Sequence, residues 1–301
     1  MASDLPEWTA VIAEIVPGAS VRGVSHLGGG AAAETFAIDT TAGAVVVKRY
    51  RRRRNDTVRF EWERLRFAQR VDAPVPQPLA LDTDGRWFGM PAYAMTRLTG
   101  RLDVHPPPPP RDVGGWLQQL ATTLVAIHGT DTTGACGPLL HPPAVETWRP
   151  PKLRRPSPLA DRTVAAIQRH LPRVSWQPVL NHGDFHPGNT LWHRDRLTGI
   201  ADWSNTRLGP SSCDLAYCRA DVALLLGRTA ADQLTHHYVA ISGATPPDLP
   251  IFDLIWGLDA LRKRARILAA HRQQGRTDSP DQYKARASAF LRQALAELGA
   301  S

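Results

Sequence analysis

The sequence predicts an α+β protein of two lobes: a small N-terminal lobe built on an antiparallel β-sheet with one main helix, and a larger, mainly helical C-terminal lobe. Three observations point there. Short β-branched and alternating runs dominate the first hundred residues. Thr99-Gly100 and the five prolines 106–110 then form a connection that can be neither helix nor inner strand. Beyond it, apolar residues recur at helical spacing almost to the C-terminus. The boundary is set at residue 97, giving lobes of 1–97 and 98–301.

Residues 5–16 read as a short amphipathic helix that stops at Pro17-Gly18. Strand-like pieces follow around 20–27, 34–39 and 44–50. Ala44-Val45-Val46-Val47-Lys48 follows the turn Thr40-Thr41-Ala42-Gly43, so the last two pieces read as a hairpin. A helix is expected over 56–71, where Leu65, Ala68 and Val71 recur on one face, and Pro74, Pro76 and Pro78 end it. Trp87 to Arg97 reads as two more short strands around Gly89-Met90-Pro91. In the second lobe, helices are expected over 111–128, 159–171, 213–226, 229–241, 248–271 and 280–298. Residues 179–209 break this pattern and read as a loop-rich region with short strands at 190–193 and 198–202.

The chain has 301 residues, 43% of them hydrophobic and 21% charged. That composition excludes disordered, fibrous and membrane classes, and runs such as Val222 to Leu226 are too short to cross a bilayer. The N-terminus, MASDLPEWTA, does not read as a secretory signal. Three cysteines, Cys136, Cys213 and Cys218, have neither metal-like nor redox-like spacing and read as small buried or half-buried thiols. These features place the protein in the cytoplasm. A formal charge of +8 attracts polyanions, nucleotides among them. Much of it sits in the run 48–54. That run lacks aromatic interleaving and any base-reading motif, so it reads as a solvated bend near a phosphate site and a nucleic-acid partner is not expected.

The chemistry is carried by His182-Gly183-Asp184-Phe185-His186-Pro187-Gly188-Asn189, followed 13 residues later by Asp202 in Ile200-Ala201-Asp202-Trp203. Phosphoryl transfer needs an acceptor for the attacking hydroxyl's proton and oxygen ligands that hold magnesium against the phosphates. Magnesium takes one or two carboxylates from a protein, with phosphate and water completing its shell. Asp184, Asn189 and Asp202 match that set.

At these residues the sequence resembles the aminoglycoside phosphotransferase family, which shares its fold with the protein kinases. The kinase loop H-R-D-x-x-x-x-N is matched by His182-Gly183-Asp184 with Asn189, and the D-F-G aspartate by Asp202 with Trp203 in the aromatic place. The resemblance implies a two-lobed protein-kinase-like fold. It makes Asp184 the catalytic base or hydroxyl-orienting group, and Asn189 and Asp202 the ligands of Mg²⁺. It places Gly28, Gly29 and Gly30 over the phosphates of ATP or GTP, where glycine lets the backbone approach closely. It also makes Lys48 the phosphate-binding lysine, paired with a helix glutamate. Glu61 and Glu63 compete for that pairing, and Glu61 is the better match because Leu65 and Ala68 then share its helix face. Met95 and Arg97, in Met95-Thr96-Arg97-Leu98-Thr99-Gly100, resemble the hinge whose backbone meets the purine edge. Asp214 matches a loop-anchoring aspartate and His182 packs beneath the same loop. His186 reads as either structural support or a contact to substrate. His128 is structural, and His236-His237 is a surface pair.

The resemblance implies a small-molecule kinase acting on a hydroxyl, with antibiotics as one acceptor class and amino alcohols or sugars as the metabolic alternative. A polycationic acceptor needs several carboxylates in its pocket. Acidic residues are few in the second half of the large lobe, and 261–276 is basic, which favours a neutral or weakly charged alcohol. Asp253 and Asp259 are the candidate acceptor contacts. Two other classes remain: a nucleotide-binding pseudokinase, which intact Lys48, Asp184, Asn189 and Asp202 argue against, and a protein kinase, which the missing activation segment between Asp202 and Asp214 argues against.

Overall fold

A computed structural model of the chain describes residues 5–28, 32–52, 55–104, 112–141, 144–152 and 157–299. Five strands form the N-terminal sheet: β1 (Val21–Gly28), β2 (Ala33–Thr40), β3 (Gly43–Tyr50), β4 (Pro78–Asp82) and β5 (Ala92–Thr96). Their spatial order is β1-β2-β3-β5-β4 and every pair is antiparallel. Successive side chains of a strand face opposite sides, and β3 uses both. Val45 and Val47 join a cluster with Trp8, Val11 and Ile12 of helix α1 (Leu5–Ile15), where the Trp8 ring lies 5.0 Å from Phe36 and 4.7 Å from Phe88. Lys48 and Tyr50 face the other side, where helix α2 (Asn55–Ala68) buries Val58, Leu65 and Ala68.

The strands expected within 87–97 need correction. Only the second exists, as β5, while residues 83–91 form turns and bends and the edge strand β4 lies earlier, at 78–82. Pro78 reads as a helix stop, but proline is also tolerated as the first residue of an edge strand. The intervening turn is built by Asp82, whose carboxylate accepts the backbone N–H groups of Asp84, Gly85 and Trp87 at 3.1, 2.9 and 2.8 Å.

The second lobe contains β6 (Arg101–Leu102), α3 (Val113–His128), α4 (Ala144–Thr147), α5 (Pro158–His170), β7 (Val179–Asn181), β8 (Thr190–His193), β9 (Arg196–Ile200), β10 (Arg207–Gly209), α6 (Ser211–Leu226), α7 (Arg228–Ser242), α8 (Leu249–Gln273) and α9 (Pro280–Gly299). The expected long helices are present to within two residues at each end. Asp112 caps α3 by accepting the Gly115 N–H at 2.7 Å, and Ser157 caps α5, whose first residue is Pro158. Helix α6 is buried nearly all round and packs against α7, α8 and α9. Two small sheets, β7–β10 and β6-β8-β9, frame the loop region.

Hydrogen bonds from side chains and backbone join the lobes. Arg64 of α2 donates to the Ser204 carbonyl at 2.5 Å and to the Pro138 carbonyl at 3.2 Å. The Arg70 guanidinium donates to the Thr133 carbonyl at 2.6 Å, and the Ile200 N–H donates to the Pro74 carbonyl at 3.0 Å. Among the described residues, no helix is long and apolar enough to cross a membrane. Of the cysteines, Cys213 and Cys218 are buried, but Cys136 is exposed rather than buried or half-buried as expected.

Candidate active site

The site forms where β3 and α2 of the sheet lobe face the loop between β7 and α6. Lys48 Nζ lies 2.7 Å from Glu61 Oε2 and 3.7 Å from Asp202 Oδ1. Tyr93, opposite Lys48 in the β3–β5 register, donates its hydroxyl to Glu61 Oε2 at 3.4 Å. Burial would discharge the lysine, but Tyr93, Asp202 and Glu61 outweigh it and hold Lys48 well above its ordinary range as a cation. Of the two glutamates, Glu61 meets Lys48, whereas Glu63 is exposed and its carboxylate lies near Gly137.

Asp202 lies two residues beyond the end of β9, at φ 59° and ψ 64°, and opens the short 3₁₀ turn Trp203–Asn205. The left-handed region is costly for most side chains, and aspartate is among the few that visit it. Burial opposes ionisation of this carboxyl. Lys48, Ser204 and His182 outweigh burial, and Asp202 is held below the usual carboxylate range.

The loop at 182–189 is pinned from beneath. The buried Asp214 carboxylate, in the first turn of α6, accepts the backbone N–H of His182 at 2.6 Å and of Gly183 at 2.9 Å. Gly183 has φ +80°, and a Cβ there would stand 2.3 Å from the Asn205 carbonyl oxygen. Only glycine lets the loop lie this close to the segment after Asp202. His182 is buried, with Nδ1 accepting the Asp184 N–H at 3.2 Å and Nε2 3.0 Å from the Ala201 carbonyl. It is therefore a neutral imidazole with its proton on Nε2, and burial keeps its pKa below the ordinary value.

Asn189 Nδ2 donates to the Asp184 carbonyl at 2.9 Å and to Asp184 Oδ2 at 3.2 Å. That orientation turns the Asn189 side-chain oxygen away from Asp184 and leaves it as an acceptor. Among the described residues, no group of three or more His, Cys, Asp and Glu could hold a metal ion. The donor set in this cleft, two carboxylates and an amide oxygen, is instead what a hard cation bridging to phosphate requires.

The remaining expected residues fall as follows. Gly28 ends β1, while Gly29 and Gly30 lie outside the described residues. Met95 sits in β5 opposite Val46. The Arg97 amide donates to the Ala44 carbonyl at 3.0 Å, and its guanidinium pairs with Asp39 at 3.2 Å. Asp253 does not line the cleft: it is buried and held on both oxygens by Arg219, at 2.9 to 3.1 Å. Asp259 is half-buried and pairs with Arg262 at 2.5 Å and Lys263 at 2.7 Å. His128 is buried, with Nδ1 2.8 Å from the Tyr238 hydroxyl. The basic run is a partly neutralised bend in which Glu34 meets Arg49 and Arg51; Arg53 and Arg54 lie outside the described residues.

Sequence reasoning missed three participants. Arg64 carries no local signal, because its partners are two backbone carbonyls distant in sequence. Tyr217 neighbours the Asp184 carboxylate, and burial, then Asp184 and Asp221, push its phenol well above the ordinary range. Asp221 lies 3.3 Å from His186 Nδ1 and 3.5 Å from His271 Nε2. Burial opposes ionisation, but the two imidazoles hold its carboxyl well below the usual range. Burial would also lower His186, yet Asp221 more than compensates and raises it. Asp214, Tyr217 and Asp221 recur at i, i+3 and i+7 along α6, a face that the sequence could have revealed.

An antiparallel sheet lobe on a helical lobe, with the Lys48–Glu61 pair facing Asp202, is a protein-kinase-like fold. The chain belongs to the phosphotransferase enzyme family, whose model matches residues 23–250. Its fold is similar to the crystal structure of aminoglycoside phosphotransferase APH(4)-Ia, with a TM-score of 0.66 at 17% identity, covering 97% of this chain and 99% of that one. A thermostable mutant of that enzyme, in ternary complex with AMP-PNP and hygromycin B, matches with a TM-score of 0.63 at 16% identity over 95% and 98% of the two chains. A GDP and kanamycin complex of APH(2")-IIIa matches with a TM-score of 0.62 at 17% identity over 96% and 98%. In sequence, 226 residues are 27% identical to the probable acyl-CoA dehydrogenase IBR3 of Arabidopsis thaliana; the match covers 64% of this chain and only 27% of that protein's length.

Proposed function

We propose that the protein transfers the γ-phosphate of ATP or GTP, as its magnesium complex, to a hydroxyl of a small molecule. The observation that carries this reading is the Lys48–Glu61 ion pair facing Asp202, beside a loop on which Asn189 holds Asp184. Glu61 and Tyr93 hold Lys48 in place to meet the phosphates, and the glycines 28–30 would supply backbone that phosphate can approach closely. Asn189 and Asp202 would hold Mg²⁺, which neutralises charge on the phosphate oxygens when bound. Asp184, oriented by Asn189, takes the proton of the acceptor hydroxyl. The acceptor oxygen forms a bond to the γ-phosphorus, the bond from that phosphorus to its bridging oxygen breaks, and the nucleoside diphosphate leaves. Met95 and the 97/98 lobe boundary mark the hinge beside the purine. The reading implies the cytoplasm, where nucleoside triphosphates are held. Hydroxyl-bearing antibiotics are the acceptor class favoured by the complexes of the structural neighbours.

The test is a coupled assay of diphosphate release with Mg-ATP and Mg-GTP against aminoglycosides, macrolides, amino alcohols and sugars. Asp184→Ala should lower turnover by roughly two to four orders of magnitude, the range for loss of a general base, with nucleotide binding retained. Turnover near wild type in that variant would remove Asp184 from this role. Absence of nucleotide binding in the wild type would sink the kinase reading.

A further inference from the structure

Arg64 is half-buried on α2, and its hydrogen bonds go to carbonyls and a ring nitrogen rather than to a carboxylate. One Nη donates to the Ser204 carbonyl at 2.5 Å. The other donates to the Pro138 carbonyl at 3.2 Å and lies 3.4 Å from His141 Nδ1. Its Nε is buried without a partner among the described residues. A second guanidinium crowds it: Arg207 Nε donates to the Asn205 carbonyl at 2.9 Å. Burial, followed by the charge of Arg207, lowers the Arg64 pKa. Placing a cation here beside a like charge costs free energy. What offsets that cost is a grip on two carbonyls of the other lobe.

The Ser204 carbonyl matters because of where it lies. Ser204 is the middle residue of the 3₁₀ turn Trp203–Asn205 that Asp202 opens at φ 59° and ψ 64°. A residue other than glycine keeps that conformation only where its surroundings hold it. Gly183 closes one side of the turn against the Asn205 carbonyl. Arg207 holds the same carbonyl from β10, and Arg64 holds the Ser204 carbonyl from the opposite lobe. Arg64 also lies one turn along α2 from Glu61, on the same face. Glu61 pairs with Lys48 at 2.7 Å, and Lys48 Nζ lies 3.7 Å from Asp202 Oδ1. Helix α2 therefore reaches this segment twice, at the Asp202 carboxylate through Lys48 and at the backbone through Arg64. Arg70, just past α2, offers a comparison: it donates to the Thr133 carbonyl at 2.6 Å and so joins the lobes away from the Asp202 turn.

Resting on the kinase reading above, we propose that Arg64 is a positioning residue for Asp202: by holding the Ser204 carbonyl from the opposite lobe, it sets the Asp202 carboxylate to receive magnesium with the nucleotide. The test measures AMP-PNP affinity of the full chain by calorimetry, in excess Mg²⁺ and in EDTA; the ratio of the two is the metal's contribution. Arg64→Met keeps the stem and removes the donors. It should lower that ratio roughly tenfold, the scale of one lost hydrogen bond from a charged donor, with affinity in EDTA unchanged. Arg70→Met should keep the wild-type ratio. Asp202→Asn sets the reference, and adding Arg64→Met to it should lower the ratio no further, as expected of residues acting through one contact. Circular dichroism reports folding, and Arg64→Gln, which keeps one donor amide, takes the place of Arg64→Met if that variant does not fold. A wild-type ratio in the Arg64 variant, the same loss in Arg70→Met, or additive losses in the double variant would each overturn the proposal. No binding of AMP-PNP by the wild type, or a full magnesium ratio in Asp202→Asn, would instead overturn the kinase reading.

Discussion

Asp214 offers a sharp test of how the catalytic loop is held. Its carboxylate is buried and accepts two backbone N–H groups, of His182 at 2.6 Å and Gly183 at 2.9 Å. In Asp214→Ala both donors lose their partner in a place closed to water. Each buried unsatisfied group costs about 1–3 kcal/mol, so the variant should lose about 2–6 kcal/mol. That is a large share of the roughly 5–15 kcal/mol that holds a domain folded. Asp214→Asn keeps one acceptor and turns an NH₂ toward the other donor, so its loss should be about half as large. The measurement is urea unfolding followed by intrinsic tryptophan fluorescence, read as a lowered midpoint at unchanged slope. Turnover should fall more than stability explains, because a misplacement of about 1 Å at Asp184 costs about a hundredfold in rate. Equal midpoints for wild type, Asn and Ala would refute the anchoring role, as would an Asn variant less stable than Ala.

The remaining predictions concern the ion pairs and the buried histidine. Lys48→Met should lower kcat/KM by roughly ten- to a hundredfold, the equivalent of a charged hydrogen bond worth about 1.5–3 kcal/mol. Glu61→Gln, whose amide oxygen still accepts from Lys48, should lose less; steady-state kinetics with varied nucleotide decides between them. Truncating either Arg219 or Asp253 leaves an uncompensated buried charge and should cost about 3–5 kcal/mol, whereas Arg219→Met with Asp253→Leu should recover most of it; denaturant midpoints of the three variants test this. His182 has a folded pKa below its unfolded value, so the unfolded chain binds more protons as pH falls through about 6.5 and the contribution of His182 to stability is lost on the acid side. His186 has the opposite sign: its raised pKa adds stability at low pH that is lost as pH rises through the folded value. Removing it by His186→Gln should steepen the acid-side loss, and imidazole titration by NMR should find His182 neutral at pH 6.5 with His186 protonated.

The helical lobe was readable because its boundaries are written in short-range chemistry. Asp112, Ser157-Pro158, Gly227 and Gly243 terminate helices by their own side chains or φ angles, and no distant residue is needed to see them. Lys48, Asp184, Asn189 and Asp202 were readable for a related reason: their spacing is fixed by one strand and one tight loop. Strand β4 was not, since three prolines mark both a helix stop and a strand start. Strands β7 and β10 are three residues each and exist only because they pair with one another across the loop. Asp253 misled because an acidic residue on a helix looks the same in sequence whether it meets a ligand or Arg219. Partners such as Arg64 with Ser204, or Asp221 with His271, lie far apart in the chain, and no local periodicity encodes them.

Those long-range contacts explain how the site stays assembled. Residues 202–205 are gripped from three sides: Lys48 faces Asp202, Arg64 donates to the Ser204 carbonyl, and Gly183 lies against Asn205. Lys48 and Arg64 both bind to or belong to α2, through Glu61 in one case and directly in the other. A rotation of α2 that separated Glu61 from Lys48 would therefore also pull Arg64 from Ser204. Because Asp202 is held in a left-handed conformation, releasing that segment would let its carboxylate swing away from Lys48. Lys48 and the segment 202–205 are thus both tied to α2, the first through Glu61 and the second through the Arg64 contact to the Ser204 carbonyl.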